Sequence, residues 1–378
     1  MNYVDSATGA TYALDKPRWC GDGGAYLNLG DAPGLTRGEI DTSRRSVWRY
    51  AKAMLVDAQD AVTLGEGWTP LICGKLDGVP VTLKLEFMMP TGSFKDRGMT
   101  TLITYLKSRG ITSVLEDSSG NAGASLAAYS AAAGMQSRIL VPETASYPKI
   151  AQMAATGADV VTVKGSRQDV ADAALRYSTQ IFYASHNWQP FFLEGTKTLA
   201  YELWEQLGFR IPDNIVFPVG YGSNMCGCER GFAELKRRGE IDRAPRLFGV
   251  QAANCAPYFA AYQAGVEELV LTDITTTIAE GIASSKPTRV REVLRAARES
   301  GGSITAVSED EIVSALGALA QMGMYVEPTS AAAAAGLRQL LKAGVIAPSE
   351  TTVLVLTGSG LKASEKIGQL LNVAARGE

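Results

Sequence analysis

The chain has 378 residues, 46% of them hydrophobic and 20% charged, with a formal net charge of −3. That length and balance fit a globular protein with ample surface to bury, as one large domain or two. No block of Lys and Arg stands out and no apolar run reaches membrane-spanning length, so nucleic acid and membranes are not expected as partners.

Residues 1–45 are rich in Gly, Asp and Thr with weak periodicity, which reads as an extension of turns and short strands. Asp41-Thr42-Ser43 is placed to cap a helix over Val47, Trp48, Tyr50, Ala51 and Met54. The run 65–71 reads as a turn-rich loop and 79–85 as a strand with Val81, Leu83 and Leu85 on one face. In Pro90-Thr91-Gly92-Ser93-Phe94-Lys95-Asp96-Arg97-Gly98, Ser93 is a candidate N-cap with Asp96 as a capping-box-like partner. Met99, Leu102, Ile103 and Leu106 follow at helical spacing until Gly110. Strands are expected near 111–115, 138–141, 160–163 and 181–184, and helices over 124–133, 149–156, 168–177 and 195–207. Beyond them come a strand at 215–218, a helix over 226–238 and a strand at 247–251. An irregular region spans 252–285. Helices are then expected over 290–299, 309–322 and 329–342, and a last strand at 352–356. Strands alternating with helices imply an α/β fold with mostly parallel sheets.

Lys95 falls in the first turn of its helix, where backbone N–H groups and the positive dipole end disfavour an ammonium. Alone, it is either a solvated lysine or one that works as an imine or a free base. Three Gly/Ser-rich loops each join a strand to a helix, at 118–123, 220–224 and 357–360. In open α/β sheets ligands bind at the carboxyl ends of strands, and such loops offer backbone N–H groups to an anion. The loop at 220–224 is either a tight turn or a phosphate cradle. It lacks the third glycine of the dinucleotide fingerprint, which would fall on Met225, and no P-loop lysine follows. A first-turn lysine with a phosphate cradle and a Ser/Asn-rich loop suggests pyridoxal phosphate, which forms a Schiff base with lysine.

Five cysteines (20, 73, 226, 228 and 255) and a start of Met1-Asn2-Tyr3-Val4-Asp5 without a signal pattern predict reduced thiols and a cytoplasmic location. Cys226 and Cys228 have no second pair nearby, so no metal is expected. His186 is the only histidine, so a His cluster is excluded. It is either a structural histidine or a group near the site entrance. Trp188, Phe191 and Phe192 either line a pocket or belong to the core.

The stretches Pro90 to Gly98, Ser118 to Ser125, Glu327-Pro328-Thr329-Ser330-Ala331 and Thr357-Gly358-Ser359-Gly360-Leu361-Lys362 together resemble the threonine synthase branch of the fold type II (tryptophan synthase β-subunit-like) pyridoxal phosphate enzymes. Gly65-Glu66-Gly67, Thr69-Pro70-Leu71, Glu194-Gly195 and Lys197-Thr198 resemble it too, so that the likeness runs in order over roughly residues 45 to 370.

The resemblance implies two α/β domains with mostly parallel sheets and the cofactor in the cleft between them. The large domain would comprise 46–97 and 189–378, and 98–188 would form a small inserted domain that closes on substrate. Residues 1–45 would be a degenerate ribbon-like extension, Cys20 being what remains of its cysteines. A homodimer is implied.

In the site, the resemblance implies Lys95 as the Schiff-base lysine and general base. Asn121 would bond the cofactor's phenolic oxygen. Gly220, Tyr221, Gly222, Ser223 and Asn224 would hold the cofactor at its phosphate and edge, and Thr357 would face the pyridine nitrogen. A hydroxyl there cannot keep that nitrogen protonated as a carboxylate would, which favours elimination and replacement. Ser118, Ser119, Gly120, Asn121 and Ala122 would take the substrate carboxylate.

The implied activity is that of a lyase giving threonine and phosphate from O-phosphohomoserine or a related amino acid. Some positions depart from the pattern. Trp68 and Met89 replace common asparagines, and Tyr221-Gly222-Ser223-Asn224 replaces an Asn-Gly-Gly-Asn-like run. Phe192 stands where an arginine associated with the substrate's phosphate is common. An apolar ring cannot replace a bidentate cation, a loss on the order of a thousandfold in affinity. Lys84, also at a family position, is the candidate that compensates. The open alternatives are a β-replacement synthase on serine, phosphoserine or acylated serine, a serine/threonine dehydratase, and a non-catalytic binding paralogue.

Overall fold

The structure is a computed structural model that describes residues 2–118, 120–165 and 167–373. The chain divides into two compact units, one of residues 1–68, 89–202 and 230–242, the other of 69–88, 203–229 and 243–378.

The first unit carries a four-stranded, wholly parallel sheet in the order Asp159–Val163, Gln136–Pro142, Ser113–Glu116, Phe182–Tyr183. Its helices include Lys95–Ser108 and Asn121–Ala133. Ala-rich residues let the second of these pack closely, and Gly134 ends it at φ 69°. Leu102, Ile103, Leu106, Leu126, Phe191 and Phe192 share one fully buried core with Tyr3 and Trp48. Each such side chain contributes about 1.5–3 kcal/mol. The N-terminal extension is a three-stranded antiparallel sheet of Asn2–Asp5, Thr11–Ala13 and Leu27–Leu29. The helix expected over 47–54 is a 3-10 segment, Val47–Ala53, interrupted at Tyr50. Its cap is the Ser46 side chain, not the 41–43 run.

The second unit carries a six-stranded sheet in the order Ser303–Val307, Arg246–Ala252, Asn214–Pro218, Thr352–Val355, Val79–Lys84, Leu71–Leu76. All neighbours are parallel except the last pair. That pair is a hairpin whose Asp77 and Gly78 both have positive φ, 51° and 85°. Strand Asn214–Pro218, buried at every residue, reads as the continuous apolar run of a central parallel strand. Helix Pro328–Lys342 is buried along Thr329–Leu337 through its run of alanines.

Candidate active site

Gly92 turns the chain at φ 80° ahead of helix Lys95–Ser108. Ser93 is not its cap. The cap position is Phe94, which has no side-chain oxygen to offer, and the Ser93 hydroxyl is buried with no hydrogen-bond partner among the described residues. Asp96 has another task. Its carboxylate accepts from the Thr91 N–H (2.7 Å), the Thr91 hydroxyl (2.6 Å) and the Ser125 hydroxyl (2.6 Å), tying the loop to the Asn121 helix. Arg97 is equally fixed, its guanidinium bidentate on Glu202 at 2.9 and 2.8 Å and bonded to the Thr198 hydroxyl at 3.1 Å. Lys95 directly precedes these two anchored residues and is aimed by the helix turn that they fix.

The Lys95 amine lies 4.8 Å from the Phe94 ring and 5.6 Å from the Phe192 ring. Burial pushes its pKa down to about 8, and the Glu116 carboxylate pulls the other way. The direction is that expected from the sequence, but the leading cause is desolvation. Phe192, in helix Pro190–Thr196, is fully buried and packs on Gly98. It forms a wall beside the amine and offers no charge.

Asn121 is the first residue of helix Asn121–Ala133, with Gly120 as its cap residue. The Ser118 hydroxyl accepts from the Gly120 N–H at 3.3 Å. A side chain at Gly123 would meet the Ser118 carbonyl at 2.1 Å, so the loop folds directly onto the helix start. Ala122 is buried beside it. The first-turn N–H groups have no intrahelical acceptor and suit a carboxylate. Ser119 lies outside the described residues.

In the second unit, strand Asn214–Pro218 runs through Val219, Gly220 and Tyr221 into helix Ser223–Arg237. Gly222 has φ 80°, and a Cβ there would lie 2.1 Å from Val293 Cγ2. A Cβ on Gly220 would lie 2.9 Å from the Gly281 carbonyl. Both amide atoms of Asn224 are buried without a hydrogen-bond partner among the described residues. Tyr221 is partly exposed and Ser223 buried. The Thr357 loop is held by Ser330, whose hydroxyl accepts from the Thr357 N–H (2.9 Å) and the Gly358 N–H (3.0 Å) and lies 3.2 Å from Thr357 Oγ1. The Lys84 ammonium, wholly buried, donates to the Thr69 carbonyl (2.7 Å) and Gln206 Oε1 (2.8 Å).

These features fit pyridoxal phosphate. A glycine-walled helix start and an orphaned buried amide suit its phosphate, a buried hydroxyl suits its ring nitrogen, and a lysine of lowered pKa suits its aldehyde. Lys95, Ser118, Gly120, Asn121, Ala122 and Phe192 belong to the first unit; Lys84, the 220–224 loop and Thr357 belong to the second. Sequence reasoning missed Ser330 as an organiser, although its motif was visible. It also missed Glu116 and Asp117, two buried acids that end a strand. Their signal was two carboxylates directly before a Ser/Gly loop. Among the described residues no group of three or more His, Cys, Asp or Glu is placed to hold a metal ion.

Two α/β sheets, mostly parallel, with these loops at strand ends define a fold type II pyridoxal phosphate enzyme. The family model described as pyridoxal-phosphate dependent enzyme matches residues 62–358, and the chain belongs to that family. It is 38% identical over 332 residues to a threonine synthase of Methanosarcina acetivorans, covering 86% of this chain and 82% of that protein. A threonine synthase of Mycobacterium tuberculosis is 37% identical over 309 residues, covering 80% and 83%. Among solved structures, the processed form of threonine deaminase isoform 2 from Solanum lycopersicum superposes with a TM-score of 0.68 at 22% identity, covering 81% and 88%. An L-serine ammonia-lyase from Rhizomucor miehei gives 0.70 at 20%, covering 81% and 98%.

Proposed function

We propose that the protein converts O-phosphohomoserine and water to threonine and phosphate. Bound pyridoxal phosphate supplies an electron sink for the negative charge that develops on substrate carbon. Lys95 would hold the cofactor through its amine and would take and return protons at the substrate carbons. Asn121, Gly220, Tyr221, Gly222, Ser223, Asn224 and Thr357 are assigned to the cofactor. Ser118, Ser119, Gly120, Asn121 and Ala122 are assigned to the substrate carboxylate. Segment 98–188 is assigned to closure over the site, the assembly to a homodimer, and the location to the cytoplasm. The likeness to threonine synthases over most of the chain supports this reading. The observation that carries it is the Lys95 amine, aimed by Asp96 and Arg97 and lowered to about pH 8, where it can act as a base.

A second reading is favoured by one observation. Phe192 offers no cation and the Lys84 ammonium is engaged by Thr69 and Gln206, so the substrate's phosphate lacks the partner expected of either position. That arrangement favours β-replacement on serine, phosphoserine or acylated serine. Turnover of O-phosphohomoserine by cofactor-loaded protein separates the two. Equal amounts of threonine and phosphate support the first reading. An intact lysine-bound cofactor without turnover overturns it and directs the assay to serine derivatives and small nucleophiles.

A further inference from the structure

Two ionisable side chains of the first unit face one aromatic ring, and a third contacts one of them. His186 sets its ring edge-on to Phe192, centroids 5.6 Å apart, and Lys95 Nζ lies 5.6 Å from the same ring. Glu116 is fully buried at the end of strand Ser113–Glu116. Its Oε2 accepts from the His186 backbone N–H (3.2 Å) and lies 3.2 Å from His186 Nδ1, while Oε1 accepts from the Asp117 N–H at 3.1 Å. The same carboxylate acts on the Lys95 amine.

The other charged groups nearby have separate tasks. Asp117 accepts from the hydroxyls of Tyr183 (2.9 Å) and Ser185 (3.3 Å). Asp96 serves Thr91 and Ser125, and Arg97 is closed by Glu202. Glu116 thus contacts His186 and acts electrostatically on Lys95. A buried anion with no cation is costly, and so is a second buried cation on one anion.

We propose that Lys95, Glu116 and His186 keep one compensating proton between the two bases: His186 is neutral when Lys95 is an ammonium, and it carries the proton when Lys95 is uncharged. The proton leaves Nζ and reaches the imidazole with Glu116 between them, so the net charge of the three groups is unchanged. No bond to carbon forms or breaks. A lysine that works as a proton carrier can then change state without leaving a new charge in a dry place. Glu116 and His186 are positioning residues here, and the inference rests on the reading of Lys95 as the cofactor lysine.

His186 is the only histidine, so a histidine-labelled sample gives one imidazole signal. The first measurement is its titration by nitrogen NMR. Lys95→Met removes the competing cation and should move the midpoint up by about half a pH unit or more. The double variant Lys95→Met/Glu116→Gln should match Glu116→Gln alone. A midpoint that ignores Lys95, or a shift that persists without Glu116, overturns the proposal.

The second measurement is the rate at which protein stripped of cofactor recaptures pyridoxal phosphate at pH 7, followed by the visible band. Glu116→Gln frees the amine and should speed capture, whereas His186→Gln leaves the carboxylate to Lys95 alone and should slow it, each by about three- to tenfold. A purely structural role would slow both, and that result, or no change in either, overturns the proposal. Absence of any visible band in the unmodified protein would instead sink the assignment of Lys95.

Discussion

Gly98 and Phe192 are in such close contact that an ideal Cβ on Gly98 would lie 2.4 Å from the ring carbons of Phe192. The ring cannot retreat far, because it is fully buried among Leu102, Tyr105 and Phe191. Gly98→Ala should destabilise the protein by about 1–3 kcal/mol, read from denaturant melts. Phe192→Leu in the same chain should recover part of that loss, since the two residues share one contact.

The Lys95 amine gives a pH dependence with a definite sign. Its folded pKa, about 8, is below the ordinary 10.5, so the folded state holds the ammonium less well than the unfolded chain does. Below pH 8 the amine is charged in both states and its burial opposes folding in full. That opposition fades as pH rises from 8 to 10.5 and is gone above, where both states are neutral. In cofactor-free protein, Lys95→Met should therefore raise Tm at pH 7, and the gain should shrink toward pH 10.5. Equal gains at both pH values would contradict the lowered pKa.

Gly222 combines a positive φ with a wall at Val293. Gly222→Ala should weaken pyridoxal phosphate binding by tenfold or more, about 1.4 kcal/mol, as measured by equilibrium titration. Val293→Ala relieves the clash but not the backbone strain, so the double variant should recover only partly.

Ser330 satisfies two backbone N–H groups of the Thr357 loop. Ser330→Ala strands both in a buried place, a cost of about 1–3 kcal/mol for each. The expected readout is a lower Tm together with weaker cofactor binding. Thr357→Val, which leaves those two bonds in place, should weaken cofactor binding with a smaller loss of stability.

Much of this was legible in the sequence wherever local pattern and tertiary need agree. The alternation of apolar strands with helices points to two mostly parallel sheets, and Gly134 ends its helix where a left-handed residue is required. The exceptions have physical causes. The sequence pattern puts Leu71 in a loop and shows no strand over 72–76, although Asp77-Gly78 is a strong hairpin signal, because the edge position of strand Leu71–Leu76 leaves several residues partly exposed. Helix Pro257–Gln263 and strand Ser303–Val307 are short elements at one edge of the six-stranded sheet, where the strand pairs with Arg246–Ala252 and the helix packs on this edge strand. Ser93 and Asp96 fit a capping box locally, but Thr91 and Ser125 compete for the same carboxylate and win it. Glu116 and His186 lie 70 positions apart, and no periodicity joins them.

Arg97 and Glu202 form the pair that fixes the helix turn two residues after Lys95. Both side chains are fully inaccessible, with the guanidinium bidentate on the carboxylate, which also accepts from the Trp68 N–H at 2.8 Å. Arg97→Met leaves an uncompensated buried carboxylate and should cost about 3–5 kcal/mol. Replacing both with apolar residues, Arg97→Met/Glu202→Leu, removes that charge and should restore most of the stability. Recovery should be incomplete, because the Trp68 N–H and the Thr198 hydroxyl lose a partner. The aim of Lys95 should not return with stability, since apolar packing lacks the direction of a bidentate pair. A double variant that melts near the parent but captures pyridoxal phosphate slowly would separate the two tasks of this pair. Full return of both would mean that Asp96 alone orients the lysine.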